Sequence, residues 1–219
     1  LIELDSQKCV RDLLSLSPFI PVVTVPNVNC AAPIAEALLE ANIGIIEITL
    51  RNEAARKVLH YIVSHYPELT VAAGTVLSTE QMAKVVDAGA QLVISPGHTE
   101  DLTRFATDKG IAYLPGAGTV SEVMKLREQG YLHQKFYPAG GANGINQIKA
   151  CGAVMPDVRF CPTGGITLDT AQSFLDMDNV TCVGGSWIVP SDLIAIENWA
   201  GIIEIAQQTM ASQKQSSRL

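Results

Sequence analysis

A lysine and a glutamate occupy positions where an apolar strand pattern normally excludes charge. Lys135 lies within "HQKFYPAG" (133–140) and Glu47 within "IGIIEITL" (43–50). The other lysines, Lys8, Lys57, Lys84, Lys109, Lys125, Lys149 and Lys214, fall in helical or terminal segments. Of the 22 acidic residues, only Glu47 interrupts the middle of an apolar strand run. Removing either charge from water is costly unless it is paired or neutralised. One reading is a structural ion pair. The other is chemical: a neutral lysine amine attacks a ketone and forms a Schiff base, while a nearby carboxylate exchanges protons during carbinolamine formation and dehydration. The protonated imine withdraws electrons from the adjacent carbon, so this chemistry calls for no metal ion and no cofactor.

Side-chain alternation along a strand supports convergence. It puts Glu47, Thr49 and Arg51 on one face of their segment, and Lys135 and Tyr137 on one face of theirs. Further strand ends carry anion-binding potential. "CPTGGI" (161–166) and "GGSW" (184–187) each hold a Gly-Gly pair, with Thr163 before one and Ser186 after the other. Glycines there let backbone N–H groups approach an oxyanion closely, although a Gly-Gly pair can also simply turn the chain. Thr75 in "AAGTVLS" faces a site or caps the next helix. Pro96 in "ISPGHTE" ends a strand and shapes a pocket. Trp187 is expected to pack beneath a helix rather than cover the rim.

The elements that must position these residues follow from the pattern of apolar runs. Eight strand candidates begin at Phe19, Ile43, Thr70, Gln91, Ile111, His133, Val158 and Val180. Between them lie segments of helical spacing, such as "NEAARKVLHYIVSHY" and "STEQMAKVVDAG", several opening on Ser, Thr, Asn or Asp and closing at Gly. Near-continuous apolar strands alternating with helices imply parallel pairing under helical cover. Eight such units predict an α/β fold, a (β/α)8 barrel, over a single domain of residues 1–219. A helix at 1–17 precedes it and a frayed tail at 212–219 follows. A doubly wound sheet is the competing fold, but the first strand lacks the G-x-G-x-x-G turn. In a barrel, strand C-termini form the active rim, and the loops after the seventh and eighth strands often take phosphate. Lys135, Glu47 and both Gly-Gly pairs lie at such ends.

Composition narrows the partners. The net charge of -7 and the 5% aromatic content argue against a nucleic-acid backbone or a base-stacking platform. The histidines (His60, His65, His98, His133) form no zinc-binding spacing, so no metal site is expected. Five cysteines without a C-x-x-C suit reduced, buried thiols in a cytoplasmic protein. No apolar run is long enough to span a bilayer, so no membrane partner is expected.

Taken together, "EITLRNEAA", "AAGTVLS", "ISPGHTE", "LPGAGTVSE", "KFYPA", "RFCPTGGI" and "GGSWIVP" resemble the motifs of the family of 2-keto-3-deoxy-6-phosphogluconate (KDPG) aldolase and 4-hydroxy-2-oxoglutarate (KHG) aldolase. The resemblance runs from the first strand to the eighth. It implies Lys135 as the Schiff-base lysine and Glu47 as the general acid/base. It implies Arg51 and Thr75 on the pyruvyl carboxylate, Pro96 and Tyr137 flanking the pyruvate carbons, and Thr163 facing the hydroxyl-bearing half. Gly164, Gly165 and Ser186 would receive a phosphate. It further implies a small keto acid, phosphorylated, as the partner molecule, and a homotrimer. The chain departs from the family's "KFFPAE" at two positions: Tyr137 replaces a phenylalanine and Gly140 a glutamate, which is expected to loosen the loop after the sixth strand. The expected reaction is cleavage of KDPG to pyruvate and glyceraldehyde 3-phosphate. KHG and the galactonate epimer are the alternative substrates; a phosphosugar isomerase and a non-catalytic phosphometabolite-binding barrel are the more distant alternatives.

Overall fold

The computed structural model describes residues 3–140 and 143–216. All strand pairings among these residues are parallel. In chain order the strands are β1 (Phe19–Val23), β2 (Ile45–Thr49), β3 (Thr70–Gly74), β4 (Leu92–Ile94), β5 (Tyr113–Leu114), β6 (Gly116–Ala117), β7 (His133–Phe136), β8 (Arg159–Pro162) and β9 (Val183–Gly185). The helices are α1 (Asp5–Leu14), α2 (Ala31–Glu40), α3 (Ala55–His65), α4 (Thr79–Asp87), α5 (Glu100–Lys109), α6 (Val120–Glu128), α7 (Gly144–Val154), α8 (Leu168–Leu175), α9 (Ser191–Ala195) and α10 (Trp199–Ser216).

The strands form a curled α/β arrangement of two sheets, ordered β5-β4-β3-β2-β1-β9 and β6-β7-β8. This corrects the expectation of eight unbroken strands. The fifth run is split at Pro115, which has no N–H to donate to a ladder. β5 pairs with β4 on one side of that break, and β6 pairs with β7 on the other. Single parallel bridges, Phe160 to Val180 and Thr163 to Gly184, join the β8 and β9 segments.

The expected helix-start chemistry is present. Ser78, Thr99 and Thr119 accept from backbone N–H groups at the starts of α4, α5 and α6, and Thr167 and Thr170 form a capping box on α8. Two cores result. The larger packs the helices against the outer faces of the strands. The smaller lies inside the curl, where Ile20, Ile45, Ala72, Leu92, Ile94, Leu114, Cys161 and Cys182 meet Val10 and Leu14 of α1.

α1 therefore closes the floor of the curl. It is shorter than the expected 1–17, and residues 1–2 lie outside the described residues. Its buried Gln7 ties two strand starts together: Nε2 donates to Tyr113 O at 2.9 Å, and Oε1 accepts from His133 N at 2.9 Å. At the other end, α10 continues to Ser216, into the segment expected as a tail, and residues 217–219 lie outside the described residues. With the floor plugged and the strands parallel, the C-terminal strand ends are left to form a pocket.

Candidate active site

A cavity of about 850 Å³ opens at those C-terminal ends. Every sequence-predicted site residue lines it: Lys135, Glu47, Arg51, Thr75, Pro96, Tyr137, Thr163, Gly164, Gly165 and Ser186. Lys135 and Glu47 meet at its base. Nζ lies 3.0 Å from Oε1 and 3.3 Å from Oε2 of Glu47, with the two side chains only 5% and 3% exposed. Two charges this dry are strongly coupled, because little water screens them.

Register explains the meeting. Glu47 sits opposite Ala72 of β3 and Val22 of β1, and Lys135 opposite Gly116 and Cys161. Small neighbours leave both side chains room to turn inward. A further small residue, Gly74 opposite Thr49, was not singled out by the sequence. A Cβ there would lie 2.1 Å from Glu47 Oε1, so only glycine allows the carboxylate its position. The signal was a glycine inside a strand, which often marks a close approach.

The remaining residues divide by depth. Thr163 is buried, and its hydroxyl donates to Cys161 O at 3.4 Å. Gly184 makes room for it, since a Cβ there would lie 2.4 Å from Thr163 Oγ1. Tyr137 is half-buried, its ring centroid 5.8 Å from Lys135 Nζ, close enough to favour an ammonium or iminium nearby. Arg51 and Ser186 are exposed at the mouth.

Thr75 does not cap the following helix; Ser78 does. Thr75 instead adopts φ +60°, a left-handed conformation that a β-branched residue rarely takes. Strain of this kind persists where the surroundings over-determine it, and it clusters at functional sites. Thr24, also missed in the sequence, lines the pocket and shares a 2.7 Å hydrogen bond with Thr49. Thr49 in turn donates to Val23 O at 3.2 Å, which leaves Thr24 as the donor between the two hydroxyls.

Trp187 packs as expected, edge-on to Phe19 with centroids 6.2 Å apart, and its indole N–H donates to Thr209 of α10 at 3.3 Å. It also lines the pocket. The expected loosening at Gly140 is not what the described residues show. Gly140 N donates to Gly164 O at 2.6 Å, and Ala139 N to Thr163 O at 2.9 Å. Gly141 and Ala142, the rest of that expectation, lie outside the described residues. No group of three or more metal-ligating side chains occurs among the described residues.

The profile of the family described as KDPG and KHG aldolase matches residues 10–205. The chain belongs to the KDPG and KHG aldolase family. A 2-dehydro-3-deoxy-phosphogluconate aldolase of Pseudoalteromonas atlantica is 42% identical over 201 residues, covering 92% of this chain and 94% of that protein. Among aldolase structures, the KDPG aldolase of Legionella pneumophila, with pyruvate captured as a covalent carbinolamine, superposes with a TM-score of 0.89. It is 41% identical, with 92% of this chain and 98% of that one covered. The KDPG aldolase of Zymomonas mobilis with 3-phosphoglycerate gives a TM-score of 0.85 at 35% identity, covering 92% of this chain and 95% of that one.

Proposed function

We propose that this aldolase-family chain is a class I, Schiff-base enzyme that cleaves KDPG to pyruvate and glyceraldehyde 3-phosphate. The observation that carries the proposal is the 3.0 Å contact between Lys135 Nζ and Glu47 Oε1 at the base of the pocket. Passing one proton from the ammonium to the carboxylate yields a neutral amine and a neutral acid in place. The amine attacks the C2 ketone to give a carbinolamine. Glu47 donates a proton to the departing hydroxyl as water leaves and the iminium forms. The resulting carboxylate then removes the C4 hydroxyl proton. The C3–C4 bond breaks, its electrons flow into the iminium, and an enamine and an aldehyde result. Protonation at C3 and hydrolysis release pyruvate and restore the amine.

In this reading Arg51 and Thr75 hold the pyruvyl carboxylate, and Pro96 and Tyr137 flank the pyruvate carbons. Thr163 meets the hydroxyl-bearing half, and Gly164, Gly165 and Ser186 take the phosphate. The second substrate, KHG, shares the pyruvyl half and lacks the phosphate. The Gly164–Gly165 wall favours the phosphorylated one. Comparing kcat/KM for the two substrates tests this directly, and equal values would defeat the preference.

We read the two sheets as one closed (β/α)8 barrel, with β5 and β6 as halves of a single strand interrupted at Pro115. The bridges from β8 to β9, and the pairing of β9 with β1, support that closure. The family resemblance supports a homotrimer. Five free thiols, four of them buried, support a reducing compartment such as the cytoplasm. No helix among the described residues is long and apolar enough to cross a membrane.

A further inference from the structure

We propose that Gly140 is a positioning residue that sets the aim of the backbone N–H of Gly165 towards a phosphorylated substrate. The inference rests on the aldolase reading above and adds to it a residue outside the pocket wall.

Consecutive carbonyls on the 163–165 segment point at the loop after β7. Thr163 O accepts from Ala139 N at 2.9 Å, and Gly164 O accepts from Gly140 N at 2.6 Å. In a trans peptide the C=O and the following N–H point in opposite directions. The N–H groups of Gly164 and Gly165 therefore both turn away from residues 139–140, that of Gly164 towards Gly184 across the parallel bridge from Thr163. Gly164, Gly165, Ile166 and Thr167 line the pocket, whereas Pro138, Ala139 and Gly140 do not. The Gly165 N–H, which makes no such bridge, is thus left to the pocket side. The Gly165 N–H has no hydrogen-bond acceptor among the described residues. Both glycines hold positive φ, +92° and +71°, a backbone shape that glycine takes at no steric cost.

The grip needs glycine on the gripping side too. A Cβ at position 140 would lie 2.2 Å from Gly165 O, 2.4 Å from Gly165 C and 2.5 Å from Gly165 Cα. These are backbone atoms, so any side chain at 140 must displace Gly165. The glutamate of the family's motif is incompatible with this backbone for the same reason.

The test is Gly140→Ala, assayed for cleavage of KDPG and KHG and for exchange of the pyruvate methyl protons with deuterium. A second variant, the amide-to-ester replacement at residue 140, deletes the N–H without adding a Cβ and keeps the experiment decisive if the alanine variant does not fold. The expected result is a KM for KDPG raised about tenfold or more, the scale of one lost hydrogen bond to a charged group. KHG cleavage and pyruvate exchange stay within about twofold, because neither involves the phosphate. Unchanged KDPG kinetics in both variants would overturn the proposal. So would an equal loss on both substrates, which would mark general damage rather than lost anion capture. Absence of pyruvate exchange in the wild-type enzyme would instead sink the aldolase reading, so the two failures are distinguishable.

Discussion

Gly74→Ala puts a methyl group into the space that Glu47 uses. The added Cβ would lie 2.1 Å from Oε1, 2.6 Å from Cγ and 2.7 Å from Cδ of Glu47. Comfortable non-bonded separation is roughly 3.5 Å, so the carboxylate must retreat by about 1 Å or more. β3 cannot easily move instead, because Gly74 is held opposite Thr49 in the centre of the larger sheet. Retreat lengthens the 3.0 Å contact with Lys135 Nζ and spoils proton transfer at each step that uses it. Misplacement on this scale costs roughly 100-fold in rate, and overpacking costs about 1–3 kcal/mol of stability. Steady-state KDPG cleavage coupled to pyruvate detection measures the first, and urea unfolding the second. Glu47→Gln should lower kcat through the same step, so the double variant should be little worse than Glu47→Gln alone. A folded Gly74→Ala enzyme with kcat within about threefold of wild type would refute the assignment of Glu47 as the proton carrier.

Three further outcomes are expected. Lys135→Ala strands a buried carboxylate, so urea unfolding at neutral pH should show a loss of about 3–5 kcal/mol, much of it recovered in Lys135→Met/Glu47→Gln. Thr75→Gly relieves the φ +60° strain, so stability should rise by about 1 kcal/mol while the KM for pyruvate-bearing substrates increases. His133 is held down to about 4 from the usual 6.5, chiefly by burial, with Arg11 and Arg159 adding to it. Glu3 Oε1 stands 3.6 Å from its Nε2, too far for a strong hydrogen bond, so burial prevails. The folded state therefore binds fewer protons than the unfolded state between those values, and stability falls as pH drops through that window. The full effect is about 3 kcal/mol. His133→Gln should show a correspondingly smaller loss on going from pH 7 to pH 4.5, and an unchanged loss would contradict this.

The charged residues of the site were legible because each violated its local pattern. A lysine and a glutamate on apolar strands have few explanations, and strand alternation grouped each with other site residues on one face. The helix boundaries were legible through Ser78, Thr99 and Thr119, whose side chains act within three residues. What escaped the sequence depends on contacts between distant segments. Gly74 matters only because β2 brings Glu47 against it, and Gly140 only because Gly165 lies across from it. The break at Pro115 depends on which neighbour each half of the strand pairs with, and proline alone does not say. Gln7 fell within the helix expected at 1–17, where nothing in the sequence set it apart. Its role as a clasp on two strand starts needed the floor of the curl in place.

The central claim is that the Lys135 amine bonds covalently to a keto acid. Incubating the enzyme with pyruvate and sodium borohydride, followed by peptide mass mapping, tests it most directly. Irreversible inactivation is expected, with one reduced pyruvyl adduct on Lys135 and none in Lys135→Ala. Inactivation with the label on another lysine, or an active enzyme that acquires no label at all, would contradict it.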